Sequence, residues 1–211
     1  MLKPKKYKVK EPKIYTFSDV DQSLTYSYSH YLNWLFDDRV ELFKGKVFRM
    51  SPAASRIHQE ISGALHTLFA NFLINKHCKL YAAPFDVRFP KESKADQDVF
   101  TVLQPDLCVV CDYSKLDKKG CIGSPDLVVE ILSQGNNKKE LHHKYKIYEE
   151  FGVKEYWVVS QQEETILIYT LIDGKFKPSK VFGTGEIASS MVLIGFETKV
   201  GDVFKDVYHQ I

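Results

Sequence analysis

Several absences narrow the class of this chain. No apolar run approaches the roughly 20 residues that a membrane-spanning helix requires. The opening Met1-Leu2-Lys3-Pro4-Lys5-Lys6 has positive charge but no apolar segment behind it, so it does not read as a secretory signal. A cytoplasmic location is the expectation. No internal repeat or low-complexity tract occurs. Formal net charge is only +2, too weak an excess to imply a nucleic-acid partner by itself. Cysteine is sparse: Cys78, Cys108, Cys111 and Cys121 fall far short of a disulfide scaffold. Cys108-x-x-Cys111 has a zinc-like spacing, but it lies in a strand-like run where positions three apart face opposite ways. One such pair cannot supply four ligands, and buried free thiols are expected.

The chain has 211 residues, 44% of them hydrophobic, enough for one domain with a sizeable core. Residues 1–13, with Lys3, Lys5, Lys6, Lys8, Lys10 and Lys13, read as a basic tail with weak attraction for phosphate. Residues 14–211 read as a single domain. The tyrosine-rich stretch over 18–36 predicts a short helix packing its aromatics on the body. Val40-Glu41-Leu42-Phe43 and Val47-Phe48-Arg49-Met50 flank Lys44-Gly45-Lys46 and predict a hairpin. After Ser55, a plausible N-cap, Ile57, Ile61, Leu65, Leu68, Phe69, Phe72 and Leu73 recur at helical spacing. A strand is expected over 79–89, two more over 106–112 and 127–132, a helix over 137–151 closed by Gly152, and a hairpin from 155–159 and 165–170. Short strands and turns follow. The pattern is an α/β or α+β sheet with helices against it.

Chemistry concentrates in the two central strands. Pro105-Asp106 opens the first. Glu130 is the only charge inside the second, Leu127-Val128-Val129-Glu130-Ile131-Leu132. A carboxylate buried in such a run needs a positive partner, and a divalent metal is the natural one. An antiparallel pairing centred near residue 118 would oppose Asp106 to Glu130, their Cα atoms about 5 Å apart. On the following helix, with Leu141 set at 0°, Tyr145, Tyr148 and Phe151 fall at about 40°, 340° and 280°, and Lys144 falls at about 300°. Lys144 is therefore aimed with the core residues toward the sheet, where Glu130, a bound phosphate or a snorkelling path to water would satisfy it.

The run Pro125-Asp126-Leu127-Val128-Val129-Glu130-Ile131-Leu132-Ser133, then Lys144-x-x-x-Tyr148-x-x-x-Gly152-Val153-x-Glu155-Tyr156-Trp157, resembles the Uma family of restriction-endonuclease-like proteins, within the PD-(D/E)xK nuclease superfamily. Glu41 to Val47, Met50-Ser51-Pro52, His58-Gln59 and Ala83-Pro84-Phe85-Asp86-Val87 extend the likeness over about 30–170. The superfamily's usual lysine position holds Leu132 here, and Lys144 takes its place from the next helix. Ser133-Gln134-Gly135 and Glu140 are departures from the family's commoner residues.

The resemblance implies a restriction-endonuclease-like mixed central β-sheet flanked by helices, with extra β-hairpins. It implies Mg²⁺, with Mn²⁺ able to substitute, held by Asp106, Glu130 and the carbonyl of Ile131. Lys144 would orient or help deprotonate the attacking water, and Lys144→Ala would remove activity while leaving the fold intact. Glu41 would complete the catalytic set or remain a solvated hairpin residue. His58 would touch phosphate or be an ordinary histidine, and Asp86 would support the site or hold the fold. Asp126 reads as turn chemistry, although Pro125-Asp126 rivals Pro105-Asp106 for the motif. His142 and His143 are expected in solvent, and Trp157 in the core. DNA is the implied substrate and a homodimer the implied assembly. The alternatives are a catalytically silent relative that binds nucleic acid or protein, and a hydrolase of small phosphoesters.

Overall fold

The structure is a computed structural model describing residues 13–50, 55–132 and 138–205; the side chains of residues 138–140 are outside the description. Most of the basic tail, Ser51-Pro52 and the Ser133-Gln134-Gly135 loop lie outside it too.

In chain order the strands are β1 (Val40–Phe43), β2 (Lys46–Arg49), β3 (Lys79–Ala82), β4 (Val87–Arg88), β5 (Val102–Leu103), β6 (Leu107–Val110), β7 (Leu116–Asp117), β8 (Gly120–Ile122), β9 (Leu127–Leu132), β10 (Glu155–Ser160), β11 (Thr165–Ile172), β12 (Lys175–Phe182), β13 (Ile187–Ser189) and β14 (Glu197–Lys199). The helices are α1 (Tyr28–Tyr31), α2 (Arg56–Leu73), α3 (Lys138–Glu150) and α4 (Val200–Phe204). One six-stranded sheet runs β2-β1-β5-β4-β8-β7, and a second runs β12-β11-β10-β9-β6-β3. Both are mixed: β4 and β8 pair in parallel, as do β9 and β10, and the other pairings are antiparallel. β13 and β14 form a separate two-stranded ribbon.

Strand alternation divides the second sheet into two buried faces. Leu107, Val109, Leu127, Val129, Ile131, Trp157 and Val159 pack with Ile61, Leu65, Phe69 and Leu73 of α2 and with Val200, Val203 and Phe204 of α4. Cys108, Val110, Val128, Tyr156 and Val158 point the other way. They pack with Ile147 and Tyr148 of α3 and with Phe43, Val87, Phe89 and Leu103 of the first sheet. Glu130 shares the parity of Val128, and Asp106 that of Cys108, so both acids belong to this second face. Trp157 is fully buried, edge-on to Phe69, as expected of a core residue.

Several expectations are refined. The aromatic stretch makes only the single turn α1. Its Tyr26, Tyr28, Tyr31, Trp34 and Phe36 nonetheless cover the outer face of the first sheet. The β1–β2 hairpin forms with Lys44 at φ +51° and Gly45 at +82°, the left-handed pair that a two-residue turn needs. The strand expected over 79–89 is two strands in two different sheets. Pro84, with no N–H, cannot continue the ladder, and the chain changes sheet there. The linker between β6 and β9 is more than a turn, since β7 and β8 within it extend the first sheet. The segment after 170 is less fragmented than expected, because β12 runs eight residues along β11. Helix α3 closes as its sequence implies: Gly152 is at φ +78°, and the Val153 N–H donates to the Tyr148 carbonyl at 2.9 Å.

The cysteines divide. Cys108 and Cys121 are free and buried, but Cys111 forms a disulfide with Cys78, which corrects the expectation that both thiols of the Cys108-x-x-Cys111 pair are free. The sequence could not show that β3 pairs with β6 in a register that sets residue 78 beside residue 111.

Gly120 offers a direct test of this architecture. Its φ is +125°, and a Cβ there would strike the backbone oxygen of Asp86 in the neighbouring strand region. Gly174 has φ +74° with open space around it. In urea unfolding, Gly174→Ala is expected to cost about 1–2 kcal/mol from backbone strain alone. Gly120→Ala should cost at least about 3 kcal/mol, because collision adds to strain. Equal losses would contradict the close approach of Gly120 to Asp86.

Candidate active site

The register of β6 against β9 sets Leu107 opposite Val129, Cys108 opposite Val128 and Val109 opposite Leu127. Continued by one residue, it sets Asp106 opposite Glu130. The strands run past each other as the sequence pattern requires, although the connection between them is an excursion through the other sheet rather than a turn.

The oxygens of these two acids are engaged by donors. Asp106 Oδ2 accepts the Ile131 N–H at 2.7 Å, and Asp106 Oδ1 lies 3.3 Å from His58 Nε2. Glu130 Oε1 accepts the Tyr148 hydroxyl at 2.6 Å, and Oε2 accepts the Lys144 ammonium at 3.0 Å. Lys144 also lies 3.2 Å from Glu41 Oε1. That oxygen accepts the Gln104 N–H at 2.8 Å. Glu41 is buried, not the solvated hairpin residue that sequence left open, and the first sheet thereby adds a third carboxylate to a cluster otherwise built by the second sheet and α3.

Lys144 is 5% exposed, which removes the snorkelling alternative. Ile147 and Tyr148 are buried beside it, so the inward face of α3 is centred close to Lys144 itself. The position two residues after Glu130 is Leu132, which packs against the apolar core on this side of the sheet. Lys144, descending from α3, reaches Glu130 and Glu41 instead.

Electrostatics follow from burial. Desolvation pushes the Glu130 carboxyl up, and the charges of Asp106 and Glu41 push it further, while Lys144 and the Tyr148 hydroxyl pull it down; the balance lies at about 8. Burial disfavours the Lys144 ammonium, but Glu130, Glu41 and Asp106 outweigh that and hold it well above the ordinary lysine range. Lys144 is therefore an ammonium at neutral pH, able to donate hydrogen bonds and offset charge but not to remove a proton. Lys144→Ala would leave Glu41 and Glu130 without this cation, and loss of a buried partner typically costs about 3–5 kcal/mol. This revises the expectation that the fold would be left intact.

The donor chemistry fits a hard divalent cation. Three carboxylates share one buried ammonium and one partly exposed histidine. Among the described residues, no three acidic, histidine or cysteine side chains are gathered closely enough to hold an ion alone. That argues against a closed zinc site. A hard divalent ion such as Mg²⁺ would take one or two of these carboxylates and fill its remaining positions with water.

The other sequence candidates are distributed as follows. His58, in the first turn of α2, has Nε2 at Asp106 and Nδ1 buried with no hydrogen-bond partner among the described residues. Asp86 does not join the acids. It sits across the first sheet with Tyr28 and Tyr31, accepting the Tyr28 hydroxyl at 2.8 Å and the Gln104 side-chain amide at 2.9 Å. It is linked to the site through Gln104, whose peptide N–H reaches Glu41 on the opposite face. Asp126 is buried and occupied by the Cys111 N–H and by Lys154, each at 2.7 Å, which removes Pro125-Asp126 as a rival motif. His142 is exposed, but His143 is half-buried against Phe43 and Phe48, contrary to expectation. Gln104 and Tyr148 were not singled out from sequence as functional. Tyr148 already lay on the inward arc of α3, and its hydroxyl on a buried helix face was the available signal. Gln104 gave none.

Comparison with known proteins bears on the fold and the family. A solved structure from Anabaena variabilis, titled a putative nuclease belonging to DUF820, superposes with a TM-score of 0.68 over 86% of this chain and 99% of its own. At 15% identity, this likeness establishes the fold. A Synechocystis protein named "Uncharacterized protein slr1290" is 28% identical over 142 residues, covering 66% of this chain and 70% of that one. The family model described as "Uma2: Putative restriction endonuclease" matches residues 28–201. The chain is a member of the Uma2 family, with a nuclease-like α/β fold of mixed sheets flanked by helices.

Proposed function

We propose that this chain is a Mg²⁺-dependent endonuclease that hydrolyses DNA phosphodiester bonds. The observation carrying the reading is the convergence of Asp106 and Glu130 on one sheet face with the ammonium of Lys144 lowered onto them from α3. Asp106 and Glu130, with the Ile131 carbonyl, would hold the ion. When bound, the divalent ion polarises a phosphoryl oxygen and lowers the pKa of water. Lys144 acts as a fixed cation that orients the attacking water and offsets charge building on the phosphate. Glu41 contributes its carboxylate to the same cluster. His58 and Ile131 fix the carboxylate plane of Asp106, and Tyr148 fixes that of Glu130. Asp106 and His58 are the partly exposed members and mark the side from which a phosphate enters. Paired copies of the chain would cut both strands of a duplex.

A second reading rests on one observation: Lys144 already pairs with both Glu41 and Glu130, as in a purely structural ion network. That is the pattern of a silent relative that binds nucleic acid or protein without cleaving it.

Plasmid assays separate the two. Supercoiled DNA should be nicked in Mg²⁺ or Mn²⁺ and spared in EDTA. Asp106→Asn keeps an acceptor for the Ile131 N–H at a partly exposed position. It should lower the nicking rate about 100-fold or more while leaving the melting temperature within a few degrees. A folded, metal-binding wild type that leaves plasmid intact would select the silent reading.

Metal-free stability should also follow Glu130. The native carboxyl holds its proton up to about 8, whereas an unfolded glutamate releases it near 4.5. The native state therefore binds the extra proton between those values. This contribution is fully present below about pH 4.5 and declines as pH rises toward 8, by about 1.4 kcal/mol per unit. In EDTA, denaturant titrations from pH 5 to 8 should show that decline, and Glu130→Gln should remove it. Equal slopes in both proteins would place the proton elsewhere.

A further inference from the structure

Among the described residues, Lys144 meets carboxylates that arrive from different sheets: Glu130 Oε2 at 3.0 Å and Glu41 Oε1 at 3.2 Å. The two are held differently. Glu41 is fixed from behind, because the oxygen nearest Lys144 also accepts the Gln104 N–H. Gln104 is itself locked by side-chain contacts to Arg39, Tyr31 and Asp86, at 3.0, 3.2 and 2.9 Å. Glu130 stands across from Asp106, where the proposed function puts a divalent ion. An ammonium and a divalent ion drawn to one buried carboxylate repel each other, and the poorly polarisable surroundings screen that repulsion weakly. What binds one disfavours the other, and the coupling is reciprocal.

We infer that Lys144 is the resident counter-ion of Glu130 in the metal-free protein, that a divalent ion displaces it from that carboxylate, and that Glu41 is the positioning residue that then keeps the ammonium in the site. The inference rests on the proposed nuclease reading and assigns Glu41 a role distinct from metal ligation. It explains why a third acid is supplied from another sheet. Glu41 gives the ammonium a carboxylate that remains beside the phosphate once the ion occupies Glu130.

The test is Mn²⁺ titration of the full chain without DNA, at a pH where Glu130 is ionised, followed by calorimetry. Lys144→Met removes the competing charge and should bind Mn²⁺ at least about tenfold more tightly than wild type, even though cleavage is lost. Glu41→Gln alone should bind more weakly, since Lys144 then falls wholly on Glu130. Glu41→Gln combined with Lys144→Met should match Lys144→Met within about twofold, because Glu41 acts through the lysine. Unchanged or weaker binding by Lys144→Met overturns the inference. So does a double variant at least about tenfold weaker than Lys144→Met, which would make Glu41 a ligand. If Lys144→Met does not fold, the wild type still decides. A protected lysine ammonium signal in nitrogen-detected NMR should shift on adding Mg²⁺, and a signal unmoved at saturating Mg²⁺ overturns the inference. A tighter-binding Lys144→Met beside a wild type that fails to nick plasmid would sink the nuclease reading alone. A nicking wild type with unchanged Lys144→Met affinity would sink this inference alone.

Discussion

One buried ammonium among carboxylates governs this molecule. Glu130 lies in a strand whose other side chains are apolar, and without a cation that burial would cost several kcal/mol. Lys144 meets the need from α3, and Glu41 shares it from the opposite sheet. The arrangement requires α3 to lie across β9, the first sheet to close over the same face, and β6 to enter in the register that opposes Asp106 to Glu130. A slip of one residue between β6 and β9 would send Asp106 to the α2 side of the sheet and leave Glu130 without its neighbour.

The two faces of the first sheet divide the polar work. On the inner face Glu41 joins the acids. On the outer face Asp86, Tyr28, Tyr31, Arg39 and the Gln104 side chain form a separate hydrogen-bonded group. Gln104 connects them, using its peptide on one side and its amide on the other. The segment Gln104-Pro105-Asp106 is thus tied at both ends, by Gln104 to the first sheet and by Asp106 to the Ile131 N–H of the second. Polar groups that converge on a reaction centre act best when their supports do not move, and this short segment joins the supports of two acids.

Fold likeness and chemistry carry different weight here. The match to the Anabaena structure concerns how strands and helices are arranged, and the family model establishes membership over residues 28–201. The case for phosphodiester chemistry rests on the individual side chains, since one fold hosts many functions. Asp106, Glu130 and Lys144 supply hard oxygen donors and a fixed cation, the parts that metal-assisted hydrolysis needs.

Much of this was legible in the sequence because it depends on local spacing. Strand alternation placed Asp106 and Glu130, helical period turned Lys144 inward, and Gly45 and Gly152 marked turns whose dihedrals few other residues tolerate. Other features arise between segments far apart in the chain. Neither the Cys78–Cys111 bond, nor the burial of Glu41, nor the separation of Asp86 from the acids has a local signature. The sequence by itself determined which side chains face the same way on each element. Only the tertiary structure decided which faces meet, because that choice is made by packing two sheets and a helix around one shared core, and a hydrophobic pattern names a buried face without naming its partner.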